Sequence, residues 1–146
     1  MQHLPIFLDV KQQLCTVIGG GEIATRKVAL LLRAGASVKV VSPELCQSLS
    51  KLKHSGKLQH HEKNYQESDL DGATLVIGAT NDLPLNQQIA HDAKARGIPV
   101  NVVDNPEDGS FIMPSVIDRS PVVAAVSTGG ASPVLSRLIR TRLESL

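Results

Sequence analysis

The chain has no tryptophan, one tyrosine (Tyr65) and two phenylalanines. Its apolar share of 42% must therefore be carried by Val, Leu, Ile and Ala, the composition of a parallel sheet buried on both faces. Charge of one sign is lacking too. A formal net charge of +1 exerts no bulk pull on nucleic acid or a membrane surface, so neither is expected as a partner. No apolar run approaches the roughly 18 residues of a membrane span, and no basic region leads into an apolar one at the N-terminus. The two cysteines, Cys15 and Cys46, show neither C-x-x-C spacing nor the density of a secreted disulfide scaffold. Together these absences predict a reducing, cytoplasmic setting. His54, His60, His61 and His91 share no metal-ligand spacing on one element, so no built-in metal site is expected.

What is present is organised around Leu14-Cys15-Thr16-Val17-Ile18-Gly19-Gly20-Gly21-Glu22-Ile23-Ala24. An apolar run of strand type enters a glycine triplet, and a helical pattern leaves it through Arg26, Lys27, Val28, Leu31 and Leu32. In the pattern G-x-G-x-x-A, Gly19 makes the tight turn and Gly21 lets a pyrophosphate approach the backbone. Ala24 lets the helix pack closely on the strand. The free N–H groups and positive dipole end of that helix then face the phosphates. A glycine-rich turn that binds nothing is the plain alternative.

The rest of the chain alternates around this stretch. Leu4–Val10 reads as a short strand, and Ser37–Val41 as another. Ser42-Pro43 supplies an N-cap and first-turn proline for a helix carrying Leu45, Leu49 and Leu52. A polar strand spans Lys57–Glu62, and Ala73–Ala79 is a continuous apolar run typical of a central parallel strand. Thr80-Asn81-Asp82 breaks that run before a helix marked by Leu85, Ile89, Ala90 and Ala93, and Pro99–Val103 is the next strand. This order predicts an α/β, doubly wound parallel sheet over residues 1–109.

From residue 110 to 146 the character changes. Ser110–Met113 reads as a short strand, Pro114–Arg119 as a connector and Pro121–Ser127 as a strand. Ser132 and Pro133 then open a final helix. That helix carries Val134, Leu135, Leu138, Ile139 and Leu143 on one side and runs to Leu146 without a stop signal, which predicts a fragment of a longer protein. Two strands and one amphipathic helix bury too little of themselves. A second copy of the chain is the economical cover, so 110–146 is expected to be a small α+β dimerisation and substrate-binding segment.

Asp104 ends the fifth parallel strand, where ligands of open α/β sheets bind. Its carboxylate is ionised at neutral pH and ready to accept a proton, although Asp104-Asn105-Pro106 also suits a plain turn. The end of the second strand, where an acid usually takes the adenosine ribose diol, carries Ser42, with Pro43 and Glu44 next. Lys39 nearby would favour a 2′-phosphate if it pointed inward, so the pattern leans to NAD without excluding NADP. The loop Ser127-Thr128-Gly129-Gly130-Ala131-Ser132 precedes a helix N-terminus. With Arg119, Arg137 and Arg140 it can hold carboxylates, or these arginines are a solvated basic face.

Six stretches in this order resemble one family. They are His3–Phe7, the glycine turn with Ala24, Arg26 and Lys27, Ala79-Thr80-Asn81-Asp82, Asn101-Val102-Val103-Asp104, Ser110–Ser115, and Ser132-Pro133. The chain looks like the precorrin-2 dehydrogenase / sirohydrochlorin ferrochelatase domain at the N-terminus of siroheme synthase. The resemblance implies a Rossmann-type fold, NAD-dependent oxidation of precorrin-2 to sirohydrochlorin, insertion of Fe²⁺ as substrate to give siroheme, and a homodimer. It implies dinucleotide contacts at Gly19, Gly21, Glu22, Ile23, Ser42, Pro43, Glu44 and Thr80, and Asp104 as the acidic residue of both reactions. Tetrapyrrole carboxylates then become the partners of Arg119, Thr128, Gly129, Ser132 and Arg137.

Two rivals remain. An NAD-sensing regulatory module needs the glycine turn but neither Asp104 nor a cationic surface. A dehydrogenase of small alcohols usually supplies a Tyr-Lys pair, and Tyr65 stands in no Y-x-x-x-K pattern.

Overall fold

The computed structural model describes residues 1–146, which divide into two compact units. The first, Phe7–Ser110, is built on a five-stranded parallel sheet. Its elements are β1 (Leu14–Ile18), α1 (Glu22–Arg33), β2 (Ser37–Ser42), α2 (Gln47–His54) and β3 (Gln59–Glu62). They continue with a 3₁₀ turn (Glu67–Leu70), β4 (Leu75–Gly78), α3 (Leu83–Ala95), β5 (Val100–Val102) and a second 3₁₀ turn (Pro106–Asp108). The strand order β3-β2-β1-β4-β5 is the doubly wound one. The chain leaves β1 toward one side and returns on the other, so the carboxyl ends of β1 and β4 flank a crevice.

Both faces of the sheet are dry. Ile18, Val41, Val76, Val100 and Val102 form one apolar layer with Ile89, Ala90 and Ala93 of α3. Val17, Val38 and Val40 alternate to the other face, where α1 packs on β1 and β2 and buries Ala24, Val28 and Leu31. Helix α1 ends as its sequence dictates, with Ala34 followed by Gly35 at φ +81°, a left-handed position that favours glycine.

The second unit combines Met1–Ile6 with Phe111–Leu146. It holds an antiparallel pair, β6 (Ser115–Arg119) and β7 (Val122–Val126), and the helix α4 (Pro133–Glu144). Ser132 caps α4, its hydroxyl accepting from the Leu135 N–H at 3.1 Å. Ile117 is the only buried apolar side chain of this unit, while Val134, Leu138 and Val122 are 67%, 58% and 69% exposed.

Three readings of the sequence are corrected here. Leu4–Val10 is not a strand: Pro5 lacks a ladder donor, no sheet edge takes the segment up, and only Val10 is buried. Ser42 does not cap α2, whose N-cap is Cys46. Its hydroxyl instead donates to the Glu44 carbonyl at 2.7 Å, which carries the chain through an extended turn first. Ser110–Met113 is likewise no strand, because the strand lies in Ser115–Arg119, read from sequence as a connector. Ser110 closes the β5 edge instead. Its N–H donates to the Val100 carbonyl at 2.7 Å and its hydroxyl accepts from the Val100 N–H at 2.9 Å.

Candidate functional site

The glycine triplet sits at the β1 end of the crevice, and its members differ in what they touch. A Cβ on Gly19 would lie 2.3 Å from the Ala79 carbonyl oxygen, at φ +130°. One on Gly20 would lie 1.9 Å from the Glu44 carbonyl oxygen and 2.7 Å from Ser42 Oγ. These two glycines are therefore demanded by the packing of β4 and of the turn after β2. Gly21 is different, because a Cβ there would meet nothing within 4 Å. Its φ of −97° and ψ of −165° are open to any residue.

Nothing inside the chain explains Gly21. It is the N-cap of α1 and gives no side-chain cap, so the first-turn N–H groups of that helix have no intrahelical partner. An open surface, unshielded N–H groups and the positive end of a helix dipole together form a cradle for a pyrophosphate. The residues present fit a dinucleotide. Glu22 and Ile23 follow in the first turn, both exposed, Ile23 at 42%.

The turn after β2 forms the next wall. Pro43 and Glu44 are exposed, while Ser42 is buried, with His60 Nε2 at 3.2 Å from its hydroxyl and 2.9 Å from its carbonyl oxygen. Lys39 points away from this turn, its ammonium donating to the Asp69 carbonyl at 2.7 Å. At the end of β4, the Thr80 hydroxyl donates to Asn86 Oδ1 at 2.6 Å, and Asn86 Nδ2 donates back to the Thr80 carbonyl at 3.0 Å. Thr80 thus borders the crevice with its hydroxyl engaged by the fully buried Asn86. Asp104 lies two residues beyond β5, exposed and without a side-chain partner. Sequence reasoning passed over Asn86 and His60. A lone Asn at an apolar helix position was the one signal for the first, and a polar strand offered none for the second.

The expected substrate residues all belong to the second unit. A cavity of about 320 Å³ there is lined by Met113, Ser127, Thr128, Ser136 and Arg137, among others. The Thr128 hydroxyl accepts from the Ser132 N–H at 3.0 Å and from Ser136 Oγ at 3.3 Å, and it donates to the Ser132 carbonyl at 3.1 Å. It shapes the loop from within. Gly129, at φ +67°, lets that loop turn. Arg137 faces the cavity. Arg119 instead donates to the Glu144 carbonyl, and Arg140 pairs with the Glu144 carboxylate at 2.9 Å. The structure therefore brings Thr128 and Arg137 together and sends Arg119 and Arg140 to the far end of α4.

Comparison with known proteins resolves the kinship. Residues 6–115 match an NAD(P)-binding family model, and residues 125–146 match that of the sirohaem biosynthesis protein central region. Among solved structures, SirC, a precorrin-2 dehydrogenase, is 32% identical, with a TM-score of 0.82 over 98% of this chain and 70% of its own. The chain belongs to the siroheme synthase and precorrin-2 dehydrogenase family. Within that family, the siroheme synthase of Nitrosospira multiformis is 56% identical over 100% of this chain and 32% of its own length. That of Methylobacillus flagellatus is 53% identical over 100% of this chain and 31% of its own. The chain thus spans about a third of the length of these curated relatives. No helix is long and apolar enough to cross a membrane.

Proposed function

We propose that this chain oxidises precorrin-2 to sirohydrochlorin with NAD and carries the same macrocycle on to insertion of Fe²⁺, taken as substrate. The observation that supports this best is the likeness to SirC, which extends through both units rather than through the nucleotide-binding sheet alone. A dinucleotide module that only sensed NAD would have no use for the second unit's cavity or for a free carboxylate at the end of β5.

When bound, NAD supplies the hydride acceptor. The chain's residues do the remainder. The first turn of α1 and the open face of Gly21 hold the pyrophosphate, and Glu22, Ile23, Pro43 and Glu44 border the dinucleotide. Asp104 takes the proton that leaves the macrocycle as the hydride departs. Chelation then releases two pyrrole N–H protons, and the same carboxylate receives them in turn, which is why one acid serves both steps. Thr128, Gly129, Ser132 and Arg137 hold carboxylates of the tetrapyrrole through charge-assisted bonds, with Arg119 contributing from the end of β6. A second copy covers the exposed apolar side of α4. Two free cysteines suit a reducing cytoplasm.

An anaerobic absorbance assay with precorrin-2 and NAD tests this reading. Formation of sirohydrochlorin with a matching rise in NADH is expected, followed by siroheme when Fe²⁺ is added. NAD binding without any conversion would favour the sensing module.

A further inference from the structure

The carboxyl end of β2 carries a constellation that the proposed chemistry does not use. In doubly wound sheets an acidic side chain near this point takes the 2′-hydroxyl of the adenosine ribose, and a cation accommodates a 2′-phosphate. Here the residue is Ser42, 4% exposed, whose hydroxyl proton already goes to the Glu44 carbonyl. It does not offer itself to a ribose. Beyond it lies a shallow cavity of about 350 Å³, bordered by Glu44, Ser50, Lys53, His60 and Glu62, among others.

The state of His60 follows from its neighbours. Nε2 is 2.9 Å from the Ser42 carbonyl oxygen, which can only accept, so Nε2 carries the proton. Nδ1 then presents its lone pair to the Lys53 ammonium at 3.4 Å, which can only donate. Lys53 is thus held on the imidazole, while two carboxylates border the same cavity. Those carboxylates are acceptors for a ribose diol and like charges for a 2′-phosphate dianion.

We propose that Glu44 and Glu62 set the cofactor selectivity of this chain, admitting the unphosphorylated ribose of NAD and excluding NADP, with Lys53 as a masked cation that serves a 2′-phosphate once the carboxylates are removed. The acid of the adenosine site is then divided between two elements, the turn after β2 and the last residue of β3. This inference rests on the dinucleotide reading above.

Calorimetric titration of the full chain with NAD and with NADP, at one fixed ionic strength, tests it. The native chain is expected to bind NAD more tightly than NADP by about tenfold or more. The double variant Glu44→Gln/Glu62→Gln should shrink that ratio by about tenfold, chiefly through tighter NADP binding. Adding Lys53→Met to the double variant should then weaken NADP again. Both glutamates are exposed, so the double variant keeps its fold. A native chain that binds both cofactors equally, or a ratio unmoved by the double substitution, overturns the selectivity proposal and leaves the dinucleotide reading standing. Failure of the native chain to bind either cofactor overturns both.

Discussion

Gly20 and Gly21 are neighbours in one motif, yet alanine should act on them in opposite ways. At Gly21 the added methyl meets nothing within 4 Å and the backbone is already in an ordinary region. Two small effects oppose each other there. Restricting the unfolded chain stabilises by about 0.4–1 kcal/mol, and alanine is a poorer N-cap than glycine by roughly the same amount. The melting temperature of Gly21→Ala should therefore move by no more than about 3 °C. At Gly20 the methyl would lie 1.9 Å from a backbone oxygen, well inside the 3.4 Å at which ordinary contact begins. The turn after β2 must retreat, with an overpacking cost of about 1–3 kcal/mol. It endangers the Cys46 N–H to Gly20 carbonyl bond at 2.7 Å, worth about 1 kcal/mol more. Gly20→Ala should melt roughly 5–15 °C lower. NAD titration decides the functional half. Gly21→Ala is expected to lose at least about tenfold in affinity, or 1.4 kcal/mol, with its fold intact. A Gly21→Ala protein that binds NAD as tightly as the native chain would refute the assignment of that open face to the pyrophosphate.

Asp104→Asn should lower precorrin-2 oxidation by about 10²–10⁴-fold while the NAD affinity stays unchanged; steady-state rates beside calorimetry check this, and normal turnover removes Asp104 from the mechanism. Asn86→Ala leaves the Thr80 turn without its buried clamp and should cost about 1–3 kcal/mol, read in urea unfolding. Stability should also fall in alkali. Burial pushes the Cys15 thiol from 9.0 up to about 11, and burial with the bond to Asp92 raises the Tyr65 phenol from 10.0. Both groups hold their protons more tightly when folded, so their contribution is complete below pH 9.0 and is lost as pH rises through the folded values. Denaturant midpoints measured across that range should decline, and Cys15→Ala should flatten the part between pH 9.0 and 11.

The parallel sheet was legible because its strands are continuous apolar runs and its helices carry their own punctuation, such as Asp82 and Gly35. Leu4–Val10 misled because apolar residues need a partner edge as well as a pattern. Ser42-Pro43 misled because a serine hydroxyl can bond a carbonyl two residues on as readily as it caps a helix. Of the candidate site, the glycine turn could be read from local spacing. The grip of Asn86 on Thr80 and of His60 on Ser42 could not, since β3 and α3 meet those turns only through tertiary structure. Sequence also cannot show that Gly21 alone of the triplet has no work inside the chain.

The second unit takes its residues from both ends of the polypeptide, Met1–Ile6 and Phe111–Leu146, so the first unit is, in chain order, an insert. On a ribosome, Phe7–Ser110 emerges as a finished set and can fold while the remainder is still being made. Met1–Ile6 leaves first and waits longest, for its partners are the last residues translated. Trimming or tagging the N-terminus should therefore disturb the C-terminal hairpin and helix, about a hundred residues away in sequence, before it touches the nucleotide-binding sheet next door.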